Sequence, residues 1–173
     1  MDMIEELYKE KIAALVRARN TTRCTREDNI PCQIEEGLYL GSLGAANNEP
    51  VLKTLKITHI LTVANSLPAA YPQEFAYKTI EVSDKEDVNI LQYFEECFEF
   101  IEEAKRAGGG VLVHCFVGRS RSATIVVAYL MKKHGMSASK ALELVRSKRP
   151  VASPNSGFMQ QLYNFEQTLK TQE

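Results

Sequence analysis

The sequence has no long hydrophobic run and no excess of charge of either sign. Its 21 Lys and Arg residues nearly balance its 22 Asp and Glu residues, so the overall charge does not favour nucleic acid or an anionic membrane. Any affinity for phosphate must therefore be local. No segment approaches the roughly 18 apolar residues of a membrane helix, and residues 1–6 are acidic where a secretory signal would be basic. We expect a protein of the cytoplasm or the nucleus, without a membrane span.

Cysteine and histidine are too scattered to form a metal site. The chain has four cysteines, Cys24, Cys32, Cys97 and Cys115, and three histidines, His59, His114 and His134. None of them has the paired spacing of zinc ligands, and a reducing compartment argues against structural disulfides. We therefore predict no metal and no cofactor. One cysteine is left as a candidate reactive group, while the other three are expected to be ordinary buried residues.

The length of 173 residues fits one compact domain with a short appendage. Residues 4–19 place apolar side chains at helical spacing, and the polar stretch 20–29 follows. We interpret residues 1–29 as an amphipathic helix with a linker, and residues 30–170 as the domain. The helix either packs on its own domain or, because basic residues lie toward its end, fills the groove of a calmodulin-like partner.

Within the domain, short strands alternate with helices. Strands are predicted at 37–40, 59–64, 77–82 and 111–113, and helices at 91–106, 122–133, 137–148 and 155–170. Because residues 111–113 are all apolar, that strand should be buried on both faces at the centre of a sheet. Residues 122–133 are apolar nearly all round, as in a helix inside a domain. The pattern predicts an α/β fold with helices on both faces of the sheet.

The most informative segment, residues 114–122, connects this buried strand to this buried helix. It reads His-Cys-Phe-Val-Gly-Arg-Ser-Arg-Ser. The N–H groups of a strand-to-helix turn, with the positive end of the helix, can hold phosphate oxygens without any net charge. Gly118 suits a position that needs positive φ or close backbone approach. The phosphate-binding loop is predicted to comprise Phe116, Val117, Gly118, Arg119 and Ser120.

Three side chains next to this loop have the chemistry of phosphoryl transfer. The environment of a helix amino terminus favours a thiolate at Cys115, and Arg121 can present a planar fork to two phosphate oxygens. The Ser122 hydroxyl can donate to the sulfur. Taken singly, each could be packing or a solvated helix start. A chance match to the whole pattern in a chain of this length is about one in ten thousand.

The segment resembles the Cys-x5-Arg signature of protein tyrosine phosphatases, and its Ser-Arg-Ser ending resembles the dual-specificity branch. The resemblance spans roughly residues 30–170 and includes the stretches 37–42, 57–61, 82–84 and 149–155. It is strongest to small plant members related to MAP kinase phosphatases. The resemblance implies a single domain with a central, mostly parallel sheet. It also implies hydrolysis of phosphotyrosine and phosphoserine or phosphothreonine through a phosphocysteine intermediate, with phosphorylated proteins such as MAP kinases as partners.

The family's chemistry also implies a carboxylic acid on a separate loop. Asp84 matches its Ser-Asp context and would protonate the leaving oxygen and then activate water. Asp87 is the competing candidate, and Glu86 is a weaker one. Asn155 matches a family position that steadies the phosphate loop, but it could equally be a plain helix cap. His114 is expected to orient the loop through backbone hydrogen bonds, without acting as acid or base.

Two other functions fit the same scaffold. A phosphoinositide or phosphoglucan phosphatase would use the extra base Arg119, although family members that act on inositol lipids often carry Lys where this chain has Phe116. A non-catalytic phosphoprotein binder would keep the phosphate loop and lose the nucleophile. Because Cys115, Arg121 and Asp84 are all present, the sequence favours the enzyme.

Overall fold

The structure, a computed structural model, describes residues 28–172 together with Lys11, Ile12 and Leu15. Those three residues are helical, but the rest of the predicted amphipathic helix at 4–19 and most of the predicted linker lie outside the described residues. Asp28 and Asn29, the last residues of that linker, already bond to the domain. In the described part of the chain, no helix is long and apolar enough to cross a bilayer.

Within residues 28–172, five strands form one sheet in the order β1-β2-β5-β3-β4. They are β1 (Cys32–Glu35), β2 (Leu38–Gly41), β3 (Ile57–Val63), β4 (Ala76–Ile80) and β5 (Gly110–His114). β1 runs antiparallel to β2, and the other neighbours are parallel. The sequence did not predict β1, because this four-residue edge strand is half exposed and lacks a clear apolar alternation. The other four strands lie within two residues of their predicted bounds.

Six helices surround the sheet in the same part of the chain. They are α1 (Leu43–Ala46), α2 (Glu49–Thr54), α3 (Phe94–Arg106), α4 (Arg121–His134), α5 (Ala138–Lys148) and α6 (Ser156–Thr171), with a 3-10 turn at Leu91–Tyr93 before α3. Side-chain caps set two of the starts: Ser137 Oγ accepts from the Lys140 N–H at 3.2 Å, and Asn155 Oδ1 accepts from the Phe158 N–H at 2.8 Å. Such caps satisfy N–H groups that have no partner inside the helix.

The core lies on both faces of the sheet, as the alternation along β2 and β5 shows. Leu38 and Val113 belong to the larger cluster under α3, α4, α5 and α6. Tyr39 and Leu112 belong to the smaller cluster with residues of α1 and α2. Every residue of β5 is buried, and β5 is the middle strand. The prediction of an α/β domain with a central sheet flanked by helices is confirmed.

This topology brings two loops to one edge of the sheet. β4 and β5 are both parallel to β3, so their carboxyl ends lie on the same side, where α/β proteins usually place their sites. β5 leads into residues 115–120, which we call the phosphate loop. β4 leads into a segment of which we call residues 83–90 the acid loop.

Candidate active site

Every carbonyl group of the phosphate loop accepts a hydrogen bond from a residue outside the loop. The donors, in loop order, are the His114 ring, the Leu43 N–H, the Arg149 guanidinium (to both Val117 and Gly118), the Ser153 N–H and Thr124, at 2.7–3.0 Å. In a trans peptide the carbonyl and the next N–H point in opposite directions. The N–H groups of residues 116–121 are therefore directed to the other side of the loop.

The sulfur of Cys115 lies on that inner side. It contacts the Gly118 N–H at 3.2 Å and the Ser122 hydroxyl at 3.0 Å. Cys115 is only 2% exposed, and α4 begins at Arg121 with its unpaired amino-terminal N–H groups. Two donors and the positive end of a helix suit an anionic sulfur.

Gly118 has both a positive φ and a close approach to neighbouring backbone. Its φ is +73°, and a Cβ at this position would lie 2.6 Å from the Gly41 carbonyl carbon and 2.8 Å from Arg149 Nη2. L-residues with a side chain rarely adopt such a φ. A larger residue would therefore displace the loop from β2 and from Arg149.

Arg121 lies between the phosphate loop and the segment before the acid loop. Its Nη1 donates to the Val82 carbonyl at 3.1 Å. Its Nε is the one buried side-chain nitrogen or oxygen, among the described residues, that has no hydrogen-bond partner. Leaving a buried donor unpaired costs about 1–3 kcal/mol. An oxygen of a bound phosphate would satisfy this donor, as predicted for the clamp.

His114 orients the first peptide of the loop. Its Nδ1 lies 3.0 Å from the Cys115 carbonyl, and its Nε2 lies 2.9 Å from the Thr62 hydroxyl. Because a carbonyl only accepts, Nδ1 carries the proton, and Nε2 accepts from Thr62. Burial lowers the pKa of His114 to about 4, so the ring is neutral at pH 7.

Asp84 is exposed, and Asn155 holds it. The Asn155 Nδ2 donates to Asp84 Oδ1 at 2.9 Å, while the Asn155 backbone N–H donates to Ser120 Oγ at 2.9 Å. Asn155 therefore caps α6 and also bonds to both Ser120 of the phosphate loop and Asp84. The competing candidates Glu86 and Asp87 are exposed, and their side chains bond to none of the described residues.

Arg149, for which the sequence predicted no role, bonds to the outer side of the phosphate loop. This residue is 4% exposed and donates to the carbonyls of Val117 and Gly118. Asp28 balances its charge at 2.6 Å. Arg149 opens the stretch 149–155 that carries the family resemblance, but its charge alone does not show that it is buried while the neighbouring Lys148 is exposed. Its role depends on contacts that are distant in sequence.

Two further cysteines are described by the structure, and neither contacts the Cys115 sulfur. Burial raises the pKa of Cys97 to about 12, so its thiol stays protonated and inert. Cys32 is half-buried beside Arg149 Nη1, at 3.5 Å, and Cys24 lies outside the described residues. Among the residues described, no group of three or more His, Cys, Asp or Glu side chains could hold a metal ion.

Comparison with known proteins places both loops in one matched region. Residues 38–168 match the family described as dual specificity phosphatase, catalytic domain. The chain is 57% identical over 173 residues to dual specificity protein phosphatase 1 of Arabidopsis thaliana, covering 100% of this chain and 87% of that one. It is 45% identical over 142 residues to MAP kinase phosphatase with leucine-rich repeats protein 3 of Dictyostelium discoideum, covering 82% of this chain and 16% of that one.

A solved structure shows the same fold. The crystal structure of human DUSP28 superposes with a TM-score of 0.78 and 37% sequence identity, covering 81% of this chain and 95% of that one.

Proposed function

Since the chain belongs to the dual specificity protein phosphatase family, we propose that it removes phosphate from tyrosine and from serine or threonine in proteins through a phosphocysteine intermediate. The observation that carries the proposal is the orientation of the phosphate loop. Its carbonyls are bonded on the outer side, so its N–H groups are directed to the inner side, where the Gly118 N–H contacts the Cys115 sulfur. Such a loop binds a phosphate dianion directly in line with a nucleophile.

In the first step, the Cys115 sulfur attacks phosphorus. The S–P bond forms as the bond from phosphorus to the substrate oxygen breaks, and Asp84 gives that oxygen its proton. The Arg121 fork and the loop N–H groups hold the other three phosphate oxygens, on which charge spreads during transfer.

In the second step, water attacks the phosphocysteine. Asp84, now ionised, takes a proton from the water as the new P–O bond forms and the S–P bond breaks. The sulfur leaves as a thiolate, stabilised by the Ser122 hydroxyl at 3.0 Å and the Gly118 N–H at 3.2 Å. Inorganic phosphate is released, and the enzyme returns to its starting state.

For the substrate, we propose the activation loops of MAP kinases in the cytoplasm or the nucleus. The proposal is supported by the name of the Dictyostelium relative and by the resemblance to plant members. Peptides from such loops, phosphorylated on Thr, on Tyr or on both, should all release phosphate. A preference for Tyr beyond about a thousandfold, roughly 4 kcal/mol, would reject dual specificity.

The same assay separates the two alternatives. Faster release from a phosphoinositide than from any peptide would favour a lipid phosphatase. No release even from an activated aryl phosphate would favour a non-catalytic binder.

For the segment 4–19, we propose binding to a calmodulin-like protein as an amphipathic helix. Replacing Leu15, which belongs to the apolar stripe, with Glu should abolish binding of calcium-loaded calmodulin to the full chain in a calorimetric titration. Unchanged binding by the variant, or none by the wild type, would leave packing on the domain as the explanation of the stripe.

A further inference from the structure

The acid loop has little structure of its own. Between residues 83 and 90, its internal backbone bonds join Val88 to Lys85 and Ile90 to Val88, each at 3.1 Å. Residues 84–87 are exposed. The path of the loop must therefore depend on what it packs against. Asn65 donates to Ser83 Oγ at 2.6 Å at the start of the loop, and the beginning of α6 contacts the residues that follow.

Residues of α6 contact the loop in chain order. Asn155 bonds to Asp84, Gly157 lies against Glu86, and Gln161 bonds to the backbone of Val88, Ile90 and Leu91. The loop thus runs along the first two turns of the helix, with a contact at about every second residue. The proposed mechanism uses only the Asp84 end of this series.

Gly157 allows the closest of these contacts. A Cβ at this position would lie 2.6 Å from the carbonyl carbon of Glu86 and nearer still to its oxygen. Both partners are backbone, so no side chain could move aside. Glycine inside a helix costs about 0.5–1 kcal/mol relative to alanine. The close approach of the loop explains why α6 tolerates it.

Gln161 fixes the far end of the loop. Its Oε1 accepts from the Ile90 N–H at 2.9 Å and from the Leu91 N–H at 3.0 Å, and its Nε2 donates to the Val88 carbonyl at 2.8 Å. One side chain therefore satisfies three backbone groups where the loop enters the turn before α3. Without it, those groups would need new partners and the loop would shift.

We propose that Gly157 and Gln161 are positioning residues that hold the acid loop where Asp84 reaches the leaving oxygen. The inference rests on the proposed role of Asp84. Neither residue touches the phosphate loop in the contacts described above. Their replacement should therefore weaken proton donation and leave the attack by Cys115 intact.

The test compares two substrates that differ in their need for a proton. Loss of a general acid slows a poor leaving group, such as the threonine alkoxide, far more than a stabilised aryl oxide. Gly157→Ala and Gln161→Leu should each lower kcat/KM on a phosphothreonine peptide by about tenfold, and change kcat/KM on p-nitrophenyl phosphate by less than about threefold. The ratio kcat/KM is compared because it reports the first step, before the hydrolysis of phosphocysteine that both substrates share. The second substrate also reports whether the phosphate loop and the fold remain intact.

A neighbouring residue supplies the matched control. Gln160 is exposed on the same helix and bonds only to Asn164, at 3.1 Å, among the described residues. Gln160→Leu should change neither rate. In an Asp84→Asn background, Gly157→Ala should cause no further loss on the peptide, because it acts through the same proton transfer.

The outcomes separate this inference from the proposed function. If Asp84→Asn shows no dependence on the leaving group, the role of Asp84 is wrong. If Asp84→Asn shows it but Gly157→Ala and Gln161→Leu leave both rates unchanged or lower both equally, the positioning role alone is overturned.

Discussion

The two loops of the site are held in opposite ways. The phosphate loop connects a fully buried strand to a buried helix, and partners outside the loop fix each of its carbonyls. The acid loop is exposed from residue 84 to residue 87. It is held by side chains and one glycine at the beginning of α6, and by a bond from Asn65 to Ser83 at 2.6 Å. Buried backbone bonds give the first loop one conformation, whereas the second depends on a few contacts at the surface.

The two loops also contact different parts of the substrate. Every substrate presents the same phosphate group to the phosphate loop, so a rigid site can be complementary to it. The acid loop faces the leaving oxygen, which differs between tyrosine and threonine. A change in the phosphate loop should therefore slow all substrates alike, while a change in the acid loop should depend on the leaving group.

The largest effect is expected from Cys115→Ser. The hydroxyl is too weak an acid to supply an anionic nucleophile, so steady-state hydrolysis of every substrate should fall by more than about 10⁴-fold. The melting temperature should stay close to that of the wild type. The buried Cys97→Ala serves as control and should retain turnover. Residual wild-type hydrolysis in Cys115→Ser would contradict the mechanism.

The next largest effect is expected from Arg121→Lys. An ammonium group cannot reproduce the fork that contacts two phosphate oxygens, and loss of one such transition-state contact costs about 10²–10³ in kcat. The loss should be equal on a phosphothreonine peptide and on p-nitrophenyl phosphate. A near-wild-type kcat would show that Arg121 is not the clamp.

Asp84→Asn should produce a smaller loss with a different signature. We expect kcat/KM, which reports the first step, to fall by about 10² on phosphothreonine peptides and much less on an activated aryl phosphate. Asp87→Asn, three residues further along the same exposed loop, is the matched control and should do little. If Asp87→Asn showed the loss that depends on the leaving group and Asp84→Asn behaved like the wild type, the general acid would be Asp87. Equal modest losses in both variants would indicate a disturbed loop without a single acid.

Arg149→Met should have a modest effect that is the same for all substrates. The guanidinium contacts the outer side of the loop, at the carbonyls of Val117 and Gly118. Its loss should make the loop less well ordered and lower kcat by about tenfold on both the phosphothreonine peptide and p-nitrophenyl phosphate. Lys148→Met, at the exposed last residue of α5 next to Arg149, should leave kcat unchanged. If kcat fell only on substrates with poor leaving groups, Arg149 would instead act through the acid loop.

Arg149 also shows which parts of the site the sequence could predict. The Cys115 loop, the burial of β5 and the starts of α5 and α6 depend on neighbours within a few residues, so local patterns reveal them. The partners of Arg149 lie at Asp28 and Gly118, and the partner of Gly157 lies at Glu86. Such pairs form only when the chain folds, and no local spacing in the sequence predicts them.

The smallest effect is expected at His114, and it appears only on acidification. Burial lowers the pKa of His114 to about 4 from the usual 6.5. Between those values the unfolded chain binds a proton that the folded chain does not, so stability is lost as pH falls through this window. The phosphate loop, and not the exposed acid loop, would then contribute this acid sensitivity.

His114→Gln removes the titrating group, so its stability should depend less on pH. Between pH 7 and pH 4.5, the free energy of unfolding in urea should fall by about 2 kcal/mol more for the wild type than for this variant. His59→Gln, on β3 of the same sheet, is the control, because it replaces another imidazole of the sheet and keeps the buried His114. It should lose stability as the wild type does. Equal losses for the wild type and His114→Gln would mean that the ring takes up a proton in the folded protein, and Nε2 would then not accept from Thr62.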